Sequence, residues 1–271
     1  MIRVELVKML RRPRTWVTIL MLNALPTLVA VLLALTEIGP KPGEGPPFLS
    51  AVLTDGTLFP LAALAIVLPL FMPVAVAVVA GDAVAGEAQA GTLRYVLTRP
   101  VGRTRLLVAK LVSVLAFVFL AVVVVAAVWY VVGRLFLGGG DVRAVVTGVS
   151  GSSLSQTQLI ERTLMSIVYV ALSMLGVAAM ALLLSTFTDS PLGAALGALA
   201  FLIASTLLLT LDAAAVLQPY LPTRYWLSFV DLFRDPILWR DLVRGVLLQG
   251  VYVLVFLAAA WANFTTKDIT S

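Results

Sequence analysis

Six long apolar runs, all free of Asp, Glu, Lys and Arg, decide what this chain can fold into. They cover residues 16–36, 58–80, 111–132, 164–184, 192–211 and 246–262. Each is close to the ~20 residues that carry a helix across ~30 Å of bilayer hydrocarbon. Backbone groups in hydrocarbon must pair with one another, which limits spanning structures to helices and closed barrels. Runs that are continuous rather than alternating select helices. The expected fold is therefore all-α: a polytopic membrane protein with six transmembrane helices. Residues 1–271 are expected to form a single transmembrane domain, because six spans with short connections use nearly all of the 271 residues. Charged residues make up 12% of the chain, against about a quarter in soluble domains.

The same composition removes whole classes of chemistry. With no Cys and no His, the chain has no thiol catalysis, no disulfides and no His-based proton relay, and few ways to hold zinc or haem. It carries 19 Lys and Arg against 14 Asp and Glu, and the placement of this excess matters more than its size. If six spans alternate, one side holds Arg3, Lys8, Arg11, Arg12, Arg14, Arg94, Arg99, Arg103, Arg105, Lys110 and Lys267. Its acids are only Glu5, Asp82, Glu87, Asp189 and Asp268. The positive-inside rule assigns that side, with both termini, to the cytoplasm of a cell membrane. Topology and anionic lipid account for this charge, and nucleic acid is not an expected partner.

Between the spans the chain divides into three notable segments. Residues 1–14 place Ile2, Leu6, Val7, Met9 and Leu10 on one helical arc and Glu5, Lys8, Arg11 and Arg12 on the other. That predicts an interfacial amphipathic helix, apolar face in lipid and basic face on headgroups, turning at Pro13. Span 2 carries Pro60, Pro69 and Pro73, which bend helices or are absorbed by neighbours. Residues 212–244 are an external segment before span 6. Tyr220, Tyr225, Trp226, Phe229, Phe233 and Trp239 suit short helices in an outer aromatic belt. Gly193 and Gly197 at the start of span 5 form a GxxxG pattern for close helix packing, within the chain or between chains.

The connection after span 2, residues 81–105, is a cytoplasmic segment of mixed character. Thr92 can cap a short helix with Leu93, Val96 and Leu97 on one face, ended by Arg99 before Pro100. By spacing alone this is a surface loop with positive-inside arginines. The string Glu87-x-x-x-Gly91-Thr92-Leu93, followed by Leu97-Thr98-Arg99-Pro100-Val101-x-Arg103 and Lys110, resembles the signature of type-2 ATP-binding-cassette (ABC) transporter permeases. So does the layout of the whole chain. The resemblance implies a coupling helix in a groove of a separate ATPase, with Glu87, Gly91, Thr92, Leu93 and Arg94 as ATPase-coupling residues. It implies two ABC ATPase subunits per transporter, a second permease copy or a related permease, and ATP with magnesium bound in the ATPase.

Three functions follow for comparison. The first is an ABC permease subunit, an exporter by resemblance and not itself an enzyme. The chain lacks a GxxxxGK[ST] phosphate loop of its own. The second is an ion-coupled secondary transporter or channel, which usually places ionisable residues at mid-membrane; the six runs hold none. The third is an intramembrane enzyme, for which the chain offers no His, no Cys and no mid-membrane carboxylate pair. A cavity between spans 2 and 5 would be apolar, with Ser205, Thr206 and Thr210 as its hydroxyls.

Overall fold

The computed structural model describes residues 1–36, 59–92, 102–136, 146–147 and 153–266. Its helices are α1 (Ile2–Arg11), α2 (Pro13–Thr36), α3 (Phe59–Val67), α4 (Phe71–Gln89), α5 (Arg103–Phe136), α6 (Gln156–Phe187), α7 (Pro191–Leu209) and α8 (Trp239–Thr266). Before α6, Val146–Thr147 pairs antiparallel with Ser153–Leu154. Five of these helices, α4 to α8, are long and apolar enough to cross a membrane. The first apolar run is helical as part of α2.

The second run is not one helix. It breaks at Leu68, Pro69 and Leu70, a turn between α3 and α4. Pro69 lacks an N–H, and its ring excludes the carbonyl of a preceding helical turn. Pro60 and Pro73 sit in the first turns of α3 and α4, where a missing N–H costs no helical bond. The three prolines thus divide the run instead of merely bending it. A second departure follows at the other end: α4 runs past Ala80 to Gln89. Gly91 ends it at φ 67°, a backbone region that glycine enters without a Cβ penalty. The Gly91 amide donates to Ala88 O at 2.9 Å and the Thr92 amide to Glu87 O at 3.0 Å, the paired bonds of a Schellman stop.

Helix α6 packs against α4, α5, α7 and α8 and is the centre of the bundle. Ser155 starts it with a capping box closed by Gln158, satisfying amide donors that a helix start leaves open. Its buried face includes Val170, Met174, Ala178, Ala181 and Leu182. Glycines permit close approach where chains cross. Gly176 faces the Gln249 side chain on α8, and Gly245 faces Tyr169 on α6.

Between α7 and α8 the chain forms 3-10 turns at Asp212–Ala214, Gln218–Tyr220 and Trp226–Phe233. The expected short helices are there, but Trp226, Phe229 and Phe233 are buried in the core. Much of the aromatic character is packing, not an outer belt. Side chains from the long helices hold this segment by its carbonyls. Tyr169 Oη donates to Tyr225 O at 2.7 Å, Gln249 Nε2 to Pro222 O at 2.8 Å, and Tyr252 Oη to Tyr220 O at 2.7 Å. Ser205 is 2.8 Å from the Thr223 hydroxyl, Thr206 bonds Leu202 O and Thr210 bonds Leu207 O. The hydroxyls expected to line a cavity are therefore engaged in local and buttressing bonds.

Candidate functional site

At one end of the bundle the chain buries a carboxylate against two ammonium groups. Glu87, in the last turn of α4, and Lys110, two turns into α5, pair at 2.7 Å. Their side chains are 5% and 2% exposed. Lys110 Nζ also donates to Ala83 O at 2.5 Å, so the ammonium ties two turns of α4 to α5. Lys8 of α1 donates to the other Glu87 oxygen, and Glu5 stands 4.0 Å from Lys8. Next to this cluster Asp82 receives Arg12 Nη1 at 2.7 Å and Arg14 Nη1 at 3.3 Å. A buried charge is tolerable only when paired in this way.

Helix α1 keeps an apolar outer face, but part of its polar side is bonded within the protein and does not face headgroups. That part faces inward, on Glu87, Asp82 and α5, and Ser113 of α5 bonds Glu5 O at 3.3 Å. Met9 is buried, while Ile2, Val4, Val7 and Leu10 are exposed. The reason is electrostatic: α4 brings two carboxylates to this end, and the nearest mobile cations are on α1. Thr15 Oγ1 fixes the turn between α1 and α2 by bonding Met9 O at 2.7 Å.

Other elements close the same end. Arg103 Nη1, at the start of α5, donates to Phe264 O at 3.3 Å and Thr265 O at 3.0 Å. A cation there complements the open carbonyls at the end of α8. Asn263 Nδ2 bonds Thr186 Oγ1 at 2.9 Å, joining α8 to the end of α6. Both ends of the described chain therefore lie at one end of the bundle. The end of α4, the start of α5 and the corner from α6 to α7 lie there too.

The residues singled out from the sequence fall into three groups. Leu93 and Arg94 lie outside the described residues, as does the short helix that Thr92 was expected to cap. Gly91 and Thr92 are exposed at the stop of α4; Thr92 Oγ1 bonds back to Glu87 O at 3.2 Å, so it closes the helix before it. Glu87 is buried, its carboxylate turned inward onto Lys8 and Lys110. Gly193 and Gly197 are exposed on the single chain. A Cβ on Gly193 would meet Ser190 and Thr188 of its own cap, and one on Gly197 would lie 3.1 Å from Leu184 of α6. Between α4 and α7 the close approach is at Gly81, whose added Cβ would lie 3.1 Å from Ala195 N and Pro191 O. Lys8 and Arg12 were read as the polar face of the first helix, Lys110 as the end of the signature string and Asp82 as a charge beside a run; their pairing with one another and with Glu87 was not read.

Five helices long and apolar enough to cross a membrane define an α-helical membrane protein. The chain matches the model of a family described as "Protein of unknown function (DUF2705)" over residues 44–270, and it belongs to that family. No curated protein matches it.

Proposed function

We propose that this chain is the membrane-spanning permease subunit of an ATP-driven transporter, an exporter, energised by a separate ABC ATPase. In this reading α2 is the sixth span, both termini are cytoplasmic, and a second permease copy or a related permease completes the pathway. The ATPase docks on the segment between α4 and α5, where the sequence resembles the permease signature. The observation that carries the reading is the Glu87–Lys110 pair. It joins the helix entering that segment to the helix leaving it, below the surface where a partner would press. A push on the segment is then delivered to α4 and α5 together, and through them to α6. Glu87 acts here as a positioning residue, and the surface contact falls to Gly91, Thr92, Leu93 and Arg94.

The test is to express the full chain with the genes beside its own and purify it through a tag. An ATPase identified by mass spectrometry should co-elute with ATP hydrolysis, and Leu93→Asp should release it, since an unpaired charge on a docking face is costly. Transport by the purified chain without any ATPase, driven by an ion gradient, would establish a secondary transporter instead.

A further inference from the structure

Beneath α1 lies a cleft bounded by α1, α2, α4, α5 and α7. We propose that it binds an anionic phospholipid, with the phosphate on Arg12 and Arg14 and an acyl chain against Val78 and Leu192. The site stands on its own observations and does not depend on the transport reading.

Charge places the phosphate at the mouth. In the inner half of the cleft Lys8 and Lys110 face Glu87 and Glu5, so the charges balance. In the outer half Arg12 and Arg14 share the single carboxylate of Asp82, which leaves one positive charge. A guanidinium offers five N–H donors in a planar fork that fits phosphate. Arg12 and Arg14 make their bonds to Asp82 through one nitrogen each. Their side chains are 40% and 80% exposed, so the remaining donors face outward. A basic pocket at the end of membrane helices is the arrangement that recognises acidic headgroups.

The walls select a lipid over a free phosphate. Val78 and Leu192 line the cleft and are 42% and 67% exposed. Both belong to helices able to cross a membrane, so this side opens towards hydrocarbon. The outward face of α1, with Ile2, Val4, Val7 and Leu10, is also apolar and exposed. An amphiphile with one negative charge satisfies the guanidinium mouth and the lateral apolar wall at once. Inorganic phosphate would use only the first.

The test is native mass spectrometry of the full chain in detergent micelles, titrated with phosphatidylglycerol, phosphatidylcholine or inorganic phosphate. Phosphatidylglycerol should be retained about tenfold more tightly than phosphatidylcholine, as one charge-assisted contact permits. Arg14→Gln should remove most of that preference while Arg12 still holds Asp82, and Arg14→Lys should restore part of it. Arg11→Gln, outside the cleft lining, should leave it unchanged. Equal retention of the two lipids, or an unaltered preference in a monodisperse Arg14→Gln, would overturn the assignment. So would displacement of the lipid by millimolar inorganic phosphate, which would make the mouth a phosphate site without a lipid wall.

Discussion

Ser185 donates its hydroxyl hydrogen to the Gly81 carbonyl at 2.6 Å. The same oxygen accepts from the amides of Val84 at 3.0 Å and Ala85 at 2.8 Å. Gly81 and Ala85 are four residues apart in α4, so the hydroxyl stands between the carbonyl and amide that a regular helix joins. A side chain inserted into that ladder is a recognised cause of local bending. It sits within two turns before Glu87 and comes from the end of α6. The α6–α7 corner thus holds α4 at the point where α4 approaches the proposed docking segment.

Ser185→Ala removes a partner from buried backbone groups. The expected loss is about 1–3 kcal/mol if α4 keeps its shape. A loss well below that would mean α4 straightens and closes its own bond. Thermal unfolding of the purified chain in detergent measures the cost. Amide hydrogen exchange at residues 81–85 separates the two cases, because a closed ladder exchanges more slowly.

A buried pair behaves differently from its halves. Glu87→Met or Lys110→Met alone leaves a charge in the interior and should cost about 3–5 kcal/mol. Glu87→Met with Lys110→Met should recover most of that, since Lys8, 37% exposed, can turn to water or to Glu5. Size-exclusion profiles and unfolding midpoints of the three variants test this. A double variant as damaged as either single one would show that the site depends on Lys8 or on Ala83 as much as on the pair. A folded double variant also separates coupling from folding: its effect on transport reads the link between α4 and α5 alone.

Much of this architecture was legible in hydropathy, because a run of apolar residues near the length of a span has few other solutions. What was not legible depends on partners distant in sequence. Residues 81–89 looked like the start of a surface segment because they contain Asp82 and Glu87. Their charges are matched by Arg12 and Lys8 far before them and Lys110 well after them, so the helix simply continues. The inward bonds of α1 were hidden for the same reason, since its wheel shows a polar face without showing that carboxylates of α4 meet it. Gln249 lay unremarked within the sixth run, although an amide there needs a partner; it finds Pro222 O. Gly193 and Gly197 drew notice by their spacing. Gly81, alone in its turn, has none to show.

Gly81→Ala tests that last contrast. Its Cβ would meet backbone atoms of α7 at 3.1 Å and Ala194 Cβ at 3.4 Å, so α4 and α7 must part slightly. Overpacking of this kind costs about 1–3 kcal/mol. Gly250→Ala meets nothing within 4 Å and should be neutral or stabilising by about 0.5–1 kcal/mol, as helical glycine gives way to alanine. The unfolding midpoint of Gly81→Ala should therefore fall while that of Gly250→Ala holds or rises. Equal shifts would remove Gly81 from the α4–α7 contact.

The orientation of the chain can be read with single cysteines, because the sequence has none of its own. Arg3 and Thr266 are exposed and lie at the charged end of the bundle. Val216, 83% exposed, lies in the segment between α7 and α8 that is held at the other end. In intact cells an impermeant maleimide should label Val216→Cys, and should reach Arg3→Cys and Thr266→Cys only after permeabilisation. That pattern follows from the basic excess on the side of α1. Labelling of Arg3→Cys and Thr266→Cys alone would invert the protein, and an ATPase could no longer reach the segment after Glu87. Labelling of Arg3→Cys and Val216→Cys together, before permeabilisation, would contradict the bundle itself, because these positions belong to opposite ends.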